Sequence, residues 1–211
     1  MKIAMLSDGG WSTALSCLLL QNGHDVTLWG PFPEYLEEMR RNHENSRYLP
    51  GVKLPATLAI EADLGRAVAG AEMIVLALPS QYTRGLLVKL AAIPRPTGVI
   101  YVDVTKGIEN NSLKRMSELV EEFLGDVPYC ILTGPSHAEE VAREVATVVV
   151  AAANDLQVAR QVREVFSNGF FRVYSTTDVI GAEIGGSLKN VIALAAGACD
   201  GMQLGDNTKA A

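Results

Sequence analysis

Histidine and cysteine are scarce in this chain: three of each among 211 residues, all far apart. His24, His43 and His137 form no ligand spacing with one another or with a cysteine, which argues against a structural or catalytic zinc, and no metal site is expected. Cys17, Cys130 and Cys199 form an odd, scattered set without a Cys-x-x-Cys pair. Such a set suits buried thiols in a reducing compartment. An excess of positive charge is also missing, since 18 Lys and Arg stand against 24 Asp and Glu, for a net charge of -6. Phosphate neutralisation needs clustered cations, so no nucleic-acid partner is expected. The pair Arg40-Arg41 lies among Glu34, Glu37, Glu38 and Glu44 and reads as one solvated helix face. Met1-Lys2 runs straight into a strand-like segment, without the apolar core and small-residue cleavage site of a secretion signal, and a cytoplasmic location is expected.

A long apolar stretch does occur at Val179 to Cys199. It is long enough to resemble a membrane span. It also carries Glu183, Ser187, Lys189, Asn190 and four glycines, and positive flanks are absent. Charges are costly at bilayer depth, so a helix buried between domains or subunits is expected instead of a span.

What the chain has in abundance is alternation. Short β-branched runs at Lys2–Leu6, Asp25–Trp29, Met73–Leu78, Val99–Val104, Tyr129–Leu132, Ala146–Ala152 and Phe171–Ser175 are separated by helical stretches. These stretches reach about Asn22 and about Asn45, then occupy Gln81–Ala92, Ser112–Leu124, Ala138–Arg143 and Asp155–Phe166. The pattern specifies an α/β fold with a doubly wound, mostly parallel sheet covered on both faces. It fills residues 1–177, and residues 178–211 supply one apolar helix and a turn. That helix needs a cover, which leads us to expect a homodimer or a further domain.

In open α/β sheets ligands bind beyond the carboxyl ends of the strands. The first strand runs into Ser7-Asp8-Gly9-Gly10-Trp11-Ser12-Thr13. This is the place of a dinucleotide phosphate loop, where glycines bring backbone N–H groups and a helix start to a pyrophosphate. In Gly-x-Gly-x-x-Gly register the residues are Ser7, Gly9 and Ser12, so the middle glycine alone is kept. Ser7 would strain the turn, Ser12 would crowd the helix against the strand, and the Asp8 carboxylate could lie near a bound phosphate. The second strand ends Trp29-Gly30-Pro31 with no carboxylate for a ribose, which leaves NAD and NADP both open.

Further along, Ser80 after Leu78-Pro79 reads as a cap for the next helix. Lys106, in Thr105-Lys106-Gly107-Ile108-Glu109, is either poised for an anion or an exposed loop lysine. Gly134 and Ser136, with the helix amides that follow, could hold a hydroxyl or a phosphate. His137 reads as a surface residue. Lys189 stands out most, in Gly185-Gly186-Ser187-Leu188-Lys189-Asn190-Val191, with Glu183 six residues back and off its helical face. A desolvated lysine has a lowered pKa and is suited to proton transfer, while snorkelling to solvent is the plain alternative.

Together, Gly9-x-Trp11-x-Thr13-Ala14, Leu28-Trp29, Pro79-Ser80, Thr105-Lys106-Gly107-Ile108-Glu109 and Gly134-Pro135-Ser136 form an ordered set with Phe171-Arg172-Val173-Tyr174, Gly186-x-Leu188-Lys189-Asn190-Val191 and Ala196-Gly197-x-x-Asp200-Gly201. The set resembles the NAD(P)-dependent sn-glycerol-3-phosphate dehydrogenases of bacteria. The resemblance implies a Rossmann-like domain at 1–177, then at 178–211 the first helix of an all-α substrate domain whose remainder is missing. It implies an oxidoreductase that reduces dihydroxyacetone phosphate to sn-glycerol 3-phosphate with NADH or NADPH, for glycerophospholipid synthesis. By the same resemblance Lys189 would be catalytic, and Lys106, Gly134, Ser136, Lys189 and Asn190 would bind substrate. Gly9, Gly10, Trp11, Lys106 and Ala138 would bind NAD or NADP. The family usually keeps three loop glycines, and its helical domain supplies an Asp and an Arg beyond the last residue here. The isolated chain is therefore expected to turn over little or not at all. Another two-domain dehydrogenase, of hydroxyacid or 6-phosphogluconate type, and a degenerate non-catalytic nucleotide-binding module stay open as rival readings.

Overall fold

The computed structural model describes residues 1–210. Along the chain come β1 (Lys2–Leu6), α1 (Gly10–Gln21), β2 (Asp25–Trp29), α2 (Pro33–Asn42), β3 (Ala59–Glu61), α3 (Leu64–Val68), β4 (Met73–Leu76) and α4 (Ser80–Ala91). There follow β5 (Ile100–Asp103), α5 (Met116–Leu124), β6 (Tyr129–Thr133), α6 (Ala138–Ala142), β7 (Thr147–Ala152), α7 (Leu156–Phe166), β8 (Phe171–Thr176), α8 (Val179–Gly201) and α9 (Asp206–Ala210).

The strands form one sheet in the order β3-β2-β1-β4-β5-β6-β7-β8. All neighbours are parallel except β6 and β7. This is the expected doubly wound, mostly parallel α/β sheet. Its order reverses at β1, flanked by β2 and β4, and a ligand crevice opens at such a point.

The two-residue period of a strand sorts β1 cleanly. Ile3 and Met5 face one core with Leu15, Leu18 and Leu19 of α1, Leu36 of α2 and Val162 and Phe166 of α7. Ala4 and Leu6 face the other core with Val68 of α3, Leu86 and Leu90 of α4 and Leu119 of α5. Both faces are covered, which is why the strands read as unbroken apolar runs.

Three differences from the sequence pattern have local causes. β3 and α3 fall in a stretch where no element was expected; β3 is three residues on the sheet edge and α3 only five. Helix α2 stops at Asn42 instead of about Asn45, because His43 caps it in the left-handed conformation at φ 48°. The Val179–Cys199 stretch forms α8 and continues to Gly201, and only Val179 and Glu183 of it are buried. By length and composition α8 could cross a membrane. Its start is nevertheless tied to the sheet, with Val179 packing on Ile131 and Ala152.

Candidate functional site

The carboxyl ends of β1, β5 and β6 bring most of the expected residues to one end of the sheet. Gly9 is extended at φ -73° and ψ 173°, and α1 begins immediately after it with no side-chain cap. The first amides of α1 therefore have no side-chain partner at that end. Ser7 lies in ordinary backbone space, absent from the positive-φ positions, so it does not strain the turn. Instead its Oγ accepts from the Gly9 N–H at 3.1 Å. Ser12 is fully buried, and its hydroxyl and that of Thr13 each donate to the Gly9 carbonyl at 2.8 Å. Asn45 adds two bonds, from its Nδ2 to the Asp8 carbonyl at 2.8 Å and to Thr13 Oγ1 at 2.7 Å. Side-chain hydrogen bonds thus fix a loop that has one glycine in register.

Gly10 must be glycine for another reason, since a Cβ there would collide with the Tyr48 carbonyl. Ala138, at the start of α6, comes within 3.8 Å of that same position. Trp11 turns its ring toward the crevice, 5.7 Å from the Lys106 Nζ, and its buried indole N–H has no partner among the described residues. An orphaned donor beside glycines and a helix start is the kind of lining a dinucleotide would satisfy.

Lys106 follows β5 and is no free loop lysine. Its Nζ donates to the Ser136 carbonyl at 3.1 Å and the Ser136 Oγ at 3.0 Å. Gly107, at φ 132°, passes so close to Ser80 that a Cβ would lie 2.8 Å from the Ser80 Oγ. Ser80 itself does not cap α4, whose cap position is Pro79. Beyond Gly107 the loop is clamped where Arg84 grips both oxygens of Glu109, at 2.7 and 2.8 Å. That grip holds the Glu109 carboxyl down at about 2. Burial, with the Lys189 charge behind it, pulls Lys106 down to about 8.

Lys189 is half-buried on α8 and, with Thr133, Gly134, Thr176 and Gly186, lines a cleft of about 470 Å³. Gly134 and Gly186 are both demanded by close approach. A Cβ on Gly134 would lie 3.0 Å from the Val148 carbonyl, and one on Gly186 would lie 2.6 Å from Thr133 Oγ1. Gly185 meets nothing within 4 Å. Asn190 is exposed, and no hydrogen bond joins its side chain to Lys189 among the described residues. His137 precedes α6 without capping it and takes no part. A depression of about 530 Å³ at the opposite ends of the strands, around Glu72, Gly98 and Pro128, gathers no comparable set of cations and hydroxyls.

A second cluster escaped the sequence reading. Asp103, on β5, is fully buried and accepts from the Thr105 N–H at 2.7 Å. Tyr129 Oη lies 3.4 Å from Asp103 Oδ2 and 3.3 Å from Glu183 Oε1. Glu183, on α8, accepts from Arg115 Nη1 at 2.7 Å and from the backbone and hydroxyl of Ser117, both at 2.8 Å. Burial pushes Asp103 up to about 7, and the nearby Glu183 charge adds to the rise. The signal was present, because an aspartate closing the apolar run Ile100-Tyr101-Val102 has to find buried partners. These bonds pin the start of the helix that carries Lys189.

Asp8, expected close to a bound phosphate, is buried, its Oδ2 has no partner among the described residues, and its carboxylate packs on Gly30, just after β2. Burial raises its pKa, which its own backbone N–H and Arg47 partly offset.

Comparison with known proteins places the chain in a family. Residues 2–159 match the family profile described as NAD-dependent glycerol-3-phosphate dehydrogenase N-terminus, and residues 178–211 match that of its C-terminus. The chain is 44% identical over 215 residues to the glycerol-3-phosphate dehydrogenase [NAD(P)+] of Bacillus cereus (strain B4264), with 100% of this chain and 62% of that protein covered. Against the enzyme of the same name from Chlorobium phaeobacteroides (strain BS1) the identity is 48% over 214 residues, covering 100% and 64%. The crystal structure of glycerol-3-phosphate dehydrogenase from Coxiella burnetii superposes with a TM-score of 0.88 at 35% identity, over 99% of this chain and 64% of that one. The chain thus spans about three-fifths of the length of these relatives. With its sheet and two successive profiles in agreement, the chain belongs to the NAD-dependent glycerol-3-phosphate dehydrogenase family.

Proposed function

We propose that this chain provides the cofactor-binding part and the proton donor of an enzyme that reduces dihydroxyacetone phosphate to sn-glycerol 3-phosphate. The observation that carries the reading is the meeting of Lys106, Ser136, Gly134 and Lys189 at the carboxyl ends of β5 and β6, beside Trp11. Residues 1–177 act as the nucleotide-binding domain and 178–211 as the start of a helical substrate domain. The end of β8 at Thr176 and the start of the second profile at 178 support that division.

Gly9, Gly10, Trp11 and Ala138 would hold NAD or NADP, with the unpartnered Trp11 indole and the open start of α1 as the fitting features. The nicotinamide supplies a hydride when bound. Lys106 holds the phosphate-bearing substrate through its charge and is itself oriented by Ser136. Lys189 gives a proton to the substrate's carbonyl oxygen as it gains charge, and takes it back in the reverse direction. Gly134 and Gly186 let Val148, Val149 and Thr133 pack closely around the cleft, and Gly134 and Asn190 complete the substrate site.

The product serves glycerophospholipid synthesis, and the enzyme works in the cytoplasm, in keeping with three free thiols. Glu183 and Lys189 make α8 a poor membrane span, so its apolar residues Val191, Ile192 and Leu194 are covered by protein, from the same polypeptide or from a second copy.

The test is Lys189→Ala in the intact protein. NADH affinity by calorimetry should hold, while turnover of dihydroxyacetone phosphate falls by about 10²–10⁴-fold. Full turnover in that variant removes Lys189 from the chemistry.

A further inference from the structure

In doubly wound sheets the adenosine ribose of a dinucleotide lies at the end of the second strand. A carboxylate there selects the free diol of NAD, and an arginine accommodates the 2′-phosphate of NADP. In this chain β2 ends at Trp29 and is followed by Gly30, neither of which carries a charge. Trp29 is occupied elsewhere, since its indole donates to the Ala62 carbonyl at 3.0 Å.

The missing carboxylate comes from the neighbouring strand. Asp8 follows β1, and its side chain lies over Gly30. A Cβ on Gly30 would meet Asp8 Cβ and Oδ2 at 2.8 Å, so the bare glycine is what admits the carboxylate. The Asp8 backbone cannot drift, because its carbonyl accepts from Asn45 Nδ2 at 2.8 Å. Asp8 retains 8% exposure, and Oδ2 has no hydrogen-bond partner among the described residues. A buried carboxylate oxygen without a donor is costly unless something brings one.

An opposing charge stands close by. Arg47 is exposed, with its guanidinium 4.2 Å from the centre of the Tyr35 ring. Its backbone N–H donates to Tyr35 Oη at 3.2 Å. A long, solvated arginine acts through a high dielectric and is screened by salt, whereas the short, buried carboxylate acts through a lower one. The carboxylate therefore decides the sign at this position.

We propose that Asp8 is the residue that sets cofactor specificity, accepting the ribose 2′- and 3′-hydroxyls and repelling a 2′-phosphate, so that the chain takes NADH over NADPH. This rests on the dinucleotide reading above.

Calorimetric titration of the 211-residue chain with NADH and with NADPH tests it directly. The natural chain should bind NADH at least roughly tenfold more tightly, as expected for one charge repulsion across a partly buried gap. Asp8→Asn, which keeps the shape and removes the charge, should bring the two affinities to within about threefold, chiefly by tightening NADPH. Arg47→Ala should widen the gap. An unchanged affinity ratio in Asp8→Asn, or a natural preference for NADPH, overturns the role of Asp8 while leaving dinucleotide binding intact. Absence of binding by either cofactor overturns the dinucleotide reading, and the role of Asp8 with it. Because loss of a desolvated charge does not unfold the loop, circular dichroism of Asp8→Asn should match that of the natural chain.

Discussion

Arg115 and Glu183 meet at 2.7 Å across 68 residues of chain. One opens α5 and the other lies in the second turn of α8, so the ion pair ties the helix bearing Lys189 to the body of the sheet. Glu183 also takes two bonds from Ser117 and one from Tyr129. Fixing the base of a long, outwardly exposed helix is how such a helix can present one lysine at a defined place.

Removal of this anchor should be expensive. Glu183→Ala leaves Arg115 and Ser117 facing a buried gap, and breaking a buried pair from one side costs about 3–5 kcal/mol. Urea unfolding should show that loss as a lowered midpoint with little change in slope. A loss below about 1 kcal/mol would mean that solvent replaces Glu183 freely.

Asp103 makes stability depend on pH in a particular direction. Its folded pKa is pushed up to about 7, above the ordinary aspartate value, so between about 4 and 7 the folded chain holds a proton that the unfolded chain has released. Stability contributed by this group therefore falls as pH rises through that window and levels off above it. Melting temperatures at pH 5 and pH 8 should differ more for the natural chain than for Asp103→Asn, and equal differences would refute the assignment.

Lys106 should impose the opposite kind of limit, on binding. Its pKa is pulled down to about 8 by burial and by Lys189, so its charge fades as pH rises past that value. Affinity of the intact protein for dihydroxyacetone phosphate should weaken above about pH 8. Lys106→Arg keeps its charge over the whole range and should shift or abolish that inflection. Identical profiles for the two proteins would count against Lys106 as the phosphate contact.

Adjacent glycines on α8 should respond with opposite signs. Gly185 is exposed with nothing within 4 Å, so Gly185→Ala should stabilise the helix by about 0.5–1 kcal/mol. At Gly186 a Cβ would come 2.6 Å from Thr133 Oγ1, so Gly186→Ala should push α8 off β6 and cost about 1–3 kcal/mol. Thermal melts of the two single variants decide it.

Much of this was legible before any coordinates, for a physical reason. Buried parallel strands read as apolar runs, and residues after them lie at the ligand end of such a sheet, so the Ser7–Thr13 loop, Lys106, Gly134 and Ser136 could be picked out by place, whereas Trp11 was singled out by the family resemblance. Lys189 announced itself as a charge inside an apolar helix. β3 and α3 were illegible because three edge residues and five helical ones leave no period to count. The antiparallel entry of β7 was equally hidden, since strand direction depends on a connection's path and not on its composition. Asp8 and Glu183 were visible as residues but not as contacts. Their partners, Gly30 and Arg115, lie 22 and 68 positions away in the chain.

The place of β1 inside the sheet has a kinetic consequence. Lys2–Leu6 pairs with β2 on one side and with β4 on the other, and β4 does not begin until Met73. One edge of this interior strand therefore stays open until some seventy further residues have been made and brought back. Closing so long a loop is an entropic cost met before any contact rewards it, which places this sheet among slowly folding architectures. In a cell the same interval leaves an apolar strand edge uncovered on the nascent chain, where a chaperone has its clearest opportunity to bind.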